Sequence, residues 1–203
     1  MDHFEVFGLP RRLSIDTGAL QQRFYELSRR YHPDFHQGSP AEEQQHALEA
    51  SARVNAAYRA LRDPLARIEY LVRLEEGRDT AESATVKPTA PPELLAEMFE
   101  IQEALEEAKS GGLDVQGRTG LVQEHARLLV RLREEEERLC GPLSRAWDDA
   151  TDAAGRTAAL ARFNESLATR AYLRTVVDDL GEAVGECRQD LGQGQAHAAH
   201  HRD

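Results

Sequence analysis

His32 and Asp34 flank Pro33 in the stretch Arg29-Arg30-Tyr31-His32-Pro33-Asp34-Phe35, and an imidazole beside a carboxylate is a pair that can move a proton. General acid–base work would also need a substrate pocket and further polar partners, and the neighbouring sequence supplies neither. The other candidates for chemistry are weaker. Asp148-Asp149 and Asp178-Asp179 are adjacent in sequence, so on a helix they point about 100° apart, the wrong layout for sharing one proton. Cys140 and Cys187 stand without CxxC spacing and read as reduced thiols rather than a disulfide or zinc framework. His197, His200 and His201 have a composition that could hold a metal, but they fall in an end segment too poor in apolar residues to order itself. No Gly-rich phosphate loop or nucleophile motif is present, so neither ATP hydrolysis nor a cofactor is expected of this chain.

The elements around His32 explain how it is placed. Leu20, Phe24, Leu27 and Tyr31 recur at helical spacing and predict a helix from about Asp16 to Tyr31 with one apolar stripe. Pro33 disfavours helical geometry at His32 and cannot continue the ladder, so His32 and Asp34 are expected in an ordered turn beyond the helix end. A second helical pattern opens at Pro40, with Leu48, Ala52, Asn55, Tyr58 and Leu61 as its expected apolar line. The turn then joins two antiparallel helices, and Arg23, Arg29 and Arg30 lie on the exposed flank of the first. Phe4 and Phe7 predict a short helix closed by Gly8 and Pro10, and Asp63-Pro64 reads as N-cap and first residue of a helix with Leu65, Ile68 and Val72 inward.

This His-Pro-Asp turn between two helices resembles the J-domain. The opening Asp2-His3-Phe4-Glu5-Val6-Phe7-Gly8-Leu9-Pro10 and the run from Tyr58 to Leu71 around Asp63-Pro64 are similar to J-domains of the HscB type, co-chaperones of iron–sulfur cluster assembly. The resemblance implies that His32, Pro33 and Asp34 trigger ATP hydrolysis in a DnaK/HscA-class chaperone, with Arg23, Arg29 and Arg30 supplying electrostatic contact. Phe35 stands where many J-domains carry a lysine.

From Gly77 to Pro92 the sequence turns to Gly, Asp, Thr, Ser and Pro without periodicity, a linker stiffened by Pro88, Pro91 and Pro92. Helical segments follow from Pro92 to Lys109, from Leu121 to Leu139 and from Pro142 to Cys187, with a possible break near Gly155 and a turn over Ser110 to Gly120. The first of these has two apolar stripes. Leu94, Met98, Ile101, Leu105 and Ala108 form a core line, while Leu95 and Phe99 lie about 100° to 140° from it, edged by Ala96, Glu100 and Glu103. Either another helix covers the second stripe, or it is a protein-docking surface. On the last helix Leu173, Val177, Leu180 and Val184 are the expected core line, and Tyr172 points off it. The HscB resemblance implies a C-terminal three-helix bundle that binds the cluster scaffold protein IscU through Leu95, Ala96, Phe99, Glu100, Glu103 and Tyr172; a larger apolar residue than Ala96 is usual at that position.

Composition fits this reading. The 203 residues are 40% hydrophobic and 30% charged, with almost no Val/Ile/Thr runs, which predicts an all-α fold. Net charge is -11, and residues 1–75 hold 10 basic and 11 acidic side chains, so nearly all the excess is carried from 76 onward. Such an acidic balance repels phosphate backbones and disfavours nucleic acid. The absence of a long apolar run or signal-peptide layout predicts no membrane association and a cytoplasmic location. The expected organisation is a J-domain over 1–76, a linker over 77–92, a scaffold-binding bundle over 93–190 and a disordered tail over 191–203. The alternative function is a general J-protein that delivers unfolded clients to a DnaK-class chaperone; scarce Met and aromatic residues and the lack of a Gly/Phe-rich region count against it.

Overall fold

The computed structural model describes the backbone of residues 1–78, 92–109 and 115–198, and the side chains of these residues except 92–96, 98, 107–109, 115 and 186–198. Most of the expected linker therefore lies outside the described residues. All the regular structure among them is helical. In chain order the elements are α1 (His3–Val6), α2 (Thr17–Arg30), a 3-10 turn (Pro33–His36), α3 (Ala41–Arg62), α4 (Pro64–Glu75), α5 (Pro92–Lys109), α6 (Val115–Arg138), a π turn (Leu139–Leu143), α7 (Ser144–Asp149) and α8 (Ala153–Ala198). No described helix is long and apolar enough to cross a membrane.

The helix starts follow from local chemistry. Asp2 and Glu5 form a reciprocal capping box on α1, Asp16 accepts from the N–H groups of Gly18 and Ala19, and Asp63 caps α4, whose first residue is Pro64. Burial alone would raise the Asp2 carboxyl, but the Glu5 N–H and the Arg11 guanidinium outweigh it and hold the group below its ordinary value. Gly8, just past α1, takes a positive φ of 65° that other residues rarely adopt.

The chain divides into two compact units, one of Met1–Lys87 with Glu137–Asn164 and one of Pro88–Glu136 with Glu165–Asp203. In the first, α2 and α3 form an antiparallel hairpin in which the rings of Phe24 and Tyr58 stack with centroids 4.0 Å apart. The buried face of α3 is Ala47, Ala50, Val54, Ala57 and Leu61. This corrects the expected line, in which only Leu61 is buried and Leu48, Ala52 and Asn55 are exposed. Alanines on several faces of α3 blur its periodicity, and small residues rather than Leu48 let the helices approach.

Residues 137–164, expected in the second domain, pack into this first unit. Leu139, Leu143, Trp147 and Phe163 are buried, the Trp147 indole N–H donates to the Arg11 carbonyl at 3.1 Å, and the Asp148 carboxylate accepts from the N–H groups of Leu13 and Ser14 at 2.7 and 2.8 Å. Arg67 is buried alongside, donating to the carbonyls of Leu61 and Leu13, and burial lowers its pKa against the pull of Asp63, Cys140 and Asp148.

The second unit is a three-helix bundle of α5, α6 and α8. Ile101 and Leu105, Leu121 and Leu128, and Leu173, Val176, Val177, Leu180, Ala183 and Val184 make its core. The line predicted on the last helix is buried, and Val176 and Ala183 widen it. Two boundaries differ from expectation. Helix α6 begins at Val115, inside the stretch read as a turn, and α8 runs to Ala198, through residues 191–198 of the tail read as disordered. Gln and Ala in that tail are good helix formers, which composition-based reasoning about order overlooks.

Candidate docking sites

The His-Pro-Asp turn begins where α2 must stop. Tyr31 closes α2 with its N–H on the Leu27 carbonyl at 3.0 Å, and His32 adopts φ -65° and ψ 127°, the extended geometry that a following proline imposes. Pro33 opens the 3-10 turn as its first residue, where its missing N–H costs nothing.

Two local bonds fix the motif. The Asp34 N–H donates to His32 Nδ1 at 3.2 Å, and the Phe35 N–H donates to the His32 carbonyl at 3.0 Å. With Nδ1 accepting, the neutral imidazole carries its proton on Nε2, which is left as an outward donor. The Asp34 carboxylate lies 3.5 Å from Nδ1, and the two side chains are 52% and 71% exposed, so the pair is too long and too wet to form a closed ion pair. Farther along, His36 Nε2 donates to the Arg30 carbonyl at 3.0 Å, and Gln44 donates to the carbonyls of Gln37 and Ser39, tying the turn to α2 and α3. A rigid base thus presents an imidazole, a pyrrolidine and a carboxylate to solvent.

Arg23, Arg29 and Arg30 are all exposed, as is Tyr25 on the same helix. Arg30 also lies over the Tyr31 ring, 5.5 Å from its centroid. An open depression of about 410 Å³ beside the turn is lined by Arg30, Tyr31, His36, Glu42, Glu43, His46 and Ala47 and includes neither His32 nor Asp34. That arrangement suits contact with a macromolecular surface rather than acid–base chemistry on an enclosed substrate. Among the described residues no group of three or more His, Cys, Asp and Glu side chains could hold a metal ion; His200 and His201 lie outside them, as does the side chain of His197.

In the second unit, Phe99 is 68% exposed, with Glu100 and Glu103 exposed beside it. No helix of the described structure covers it. The backbone of Leu95 and Ala96 is helical within α5, which puts both residues on the same side as Phe99 by helical spacing, but their side chains lie outside the described residues. On the opposite side of α5, Glu97 is clamped by Arg131 at 2.7 Å and by Arg127. Burial would raise the Glu97 carboxyl, yet Arg131 and Arg127 together lower it.

Tyr172 is carried by α8. Its ring packs half-buried against the bundle core, and its hydroxyl is buried, with no hydrogen-bond partner among the described residues, in the field of Glu97 and Arg131. Burial and Glu97 raise its pKa, with Arg131 opposing. Its half-burial is helical in origin: Tyr172 lies one turn before buried Val176 and so flanks the core stripe. Sequence reasoning missed the Glu97 clamp, whose partners are about thirty residues away, and the Asp148 cap, which no local pattern signals.

Two family models match successive stretches of the chain. Residues 2–70 match the DnaJ domain family, and residues 90–171 match the HSCB C-terminal oligomerisation domain. The chain is 36% identical over 185 residues to the co-chaperone protein HscB homolog of Azoarcus sp. (strain BH72), covering 90% of this chain and 95% of that protein. It shares the fold of the human co-chaperone protein HscB in its crystal structure, at 23% identity and a TM-score of 0.59, with 89% of this chain and 81% of that one covered. The protein is therefore a J-domain co-chaperone and belongs to the HscB family.

Proposed function

We propose that this protein docks a DnaK/HscA-class chaperone through its J-domain, stimulates that chaperone's ATPase, and delivers to it the iron–sulfur scaffold protein IscU held on the C-terminal bundle, so promoting cluster maturation and transfer. The observation that carries the reading is the exposed His32-Pro33-Asp34 turn, pinned by its own hydrogen bonds and free of any packing duty. His32, Pro33 and Asp34 contact the ATPase directly, and Arg23, Arg29 and Arg30 provide the surrounding positive field. On the bundle, Leu95, Ala96, Phe99, Glu100 and Glu103 form an apolar, acid-edged face for the scaffold. Tyr172, half-buried on α8, joins them as a scaffold contact. Holding both partners on one chain raises the effective concentration of scaffold at chaperone.

The test is His32→Gln. Circular dichroism should show an unchanged fold, because the ring is exposed, and single-turnover ATP hydrolysis by the chaperone should lose its stimulation. Stimulation equal to wild type would overturn the assignment.

A further inference from the structure

Phe35 is 68% exposed, one residue beyond the His-Pro-Asp motif and inside the same 3-10 turn. Its N–H is spent on the His32 carbonyl, and its ring meets the His32 ring edge-on, with centroids 5.9 Å apart and planes at 69°. A large aromatic side chain with most of its surface in water contributes little to a core. Nor is it a loose end: the backbone holding it is bonded to α2 and α3 through His36 and Gln44, so the ring is offered from a rigid turn. Arg29 and Arg30, on the last turn of α2, lie close by in sequence and are exposed. An exposed apolar ring on a turn that directly follows exposed cations in the chain is the layout of an interface anchor, in which charge guides approach and a buried aromatic sets residence.

We infer that Phe35 is an apolar anchor for the ATPase partner, inserted into an apolar recess that lies beside the acidic surface met by the arginines. This rests on the proposed reading of the His-Pro-Asp turn, because the two sites share one turn and must be covered by one partner. The occupant is the chaperone's ATPase, since any other protein seated on Phe35 would also cover His32. The anchor makes part of the affinity insensitive to salt, which the arginine contacts alone could not do.

Single-turnover ATP hydrolysis by a purified DnaK-class chaperone, titrated with full-length wild type, Phe35→Ala, Phe35→Leu and His32→Gln at low and high salt, tests this directly. Phe35→Ala should keep the maximal stimulation and raise the half-saturating concentration on the order of tenfold at both salt levels. Phe35→Leu should recover most of that loss. If Phe35→Ala lowers the maximum without moving half-saturation, the ring merely props His32, and the anchor is wrong. Half-saturation within twofold of wild type, with His32→Gln inactive, overturns the anchor alone. Full stimulation by His32→Gln overturns the reading of the turn and the anchor together.

Discussion

At His32 a single hydrogen bond decides what the ring offers: Nδ1 is occupied by the Asp34 N–H, so Nε2 is the outward donor. That tautomer is not visible in the sequence, although the turn itself is, because Pro33 forces an extended His32 and ends α2. The three arginines were equally legible, since they fall off the apolar stripe of Leu20, Phe24, Leu27 and Tyr31. Their solvent exposure carries a prediction. Contacts between exposed charges are screened within about 10 Å at roughly 0.1 M salt, so the half-saturating concentration for ATPase stimulation should rise as salt is raised. The salt slope should flatten in Arg29→Ala/Arg30→Ala, measured in the same single-turnover assay; an unchanged slope would remove these arginines from the contact. Spacing places Tyr172 off the core line of α8, and the packing adds that it flanks a stripe made wider by Val176.

Among the elements, α5 has one face held inside the bundle by Ile101, Leu105 and the Glu97 clamp and another open at Phe99. The two-stripe pattern is readable, and so is the choice it poses between a covered helix and an open one; at Phe99 the stripe is open. The clamp has a pH signature. Glu97 has a lowered pKa in the folded state, so its contribution is fully present above the ordinary carboxylate value of about 4.3 and is lost as pH falls through the folded value. The side chains of Arg127 and Arg131 are 55% and 34% exposed, which limits the effect to about 1 kcal/mol or less. Urea unfolding of wild type and Glu97→Gln across pH should show the variant less stable at neutral pH and the gap closing below about pH 4. A gap that stays constant as pH falls, with no narrowing below the ordinary carboxylate value of about 4.3, would mean that the clamp acts through packing and not charge. Helix α3 teaches the converse lesson: with alanines on several faces, periodicity alone picked Leu48, and only packing against α2 selects Ala47, Ala50, Val54 and Ala57.

For the whole molecule, the all-helical class followed from composition. The assignment of residues 137–164 did not, because it depends on Trp147 and Asp148 meeting backbone groups of residues 11 to 14 more than a hundred positions earlier. Long-range polar caps leave no period in a sequence. The central claim concerns the coupling of two surfaces on one chain, and one measurement addresses it: single-turnover ATP hydrolysis by the chaperone, with and without the scaffold protein, using wild type and Leu95→Ala/Phe99→Ala at sub-saturating co-chaperone. Truncating an interface aromatic commonly costs ~2 kcal/mol, about thirtyfold in Kd, and Phe99 is exposed, so melting should be nearly unchanged. The account predicts that scaffold enhances the stimulation given by wild type, and that the double variant keeps the stimulation it gives alone while losing the enhancement. A folded double variant that retains the whole enhancement would contradict it.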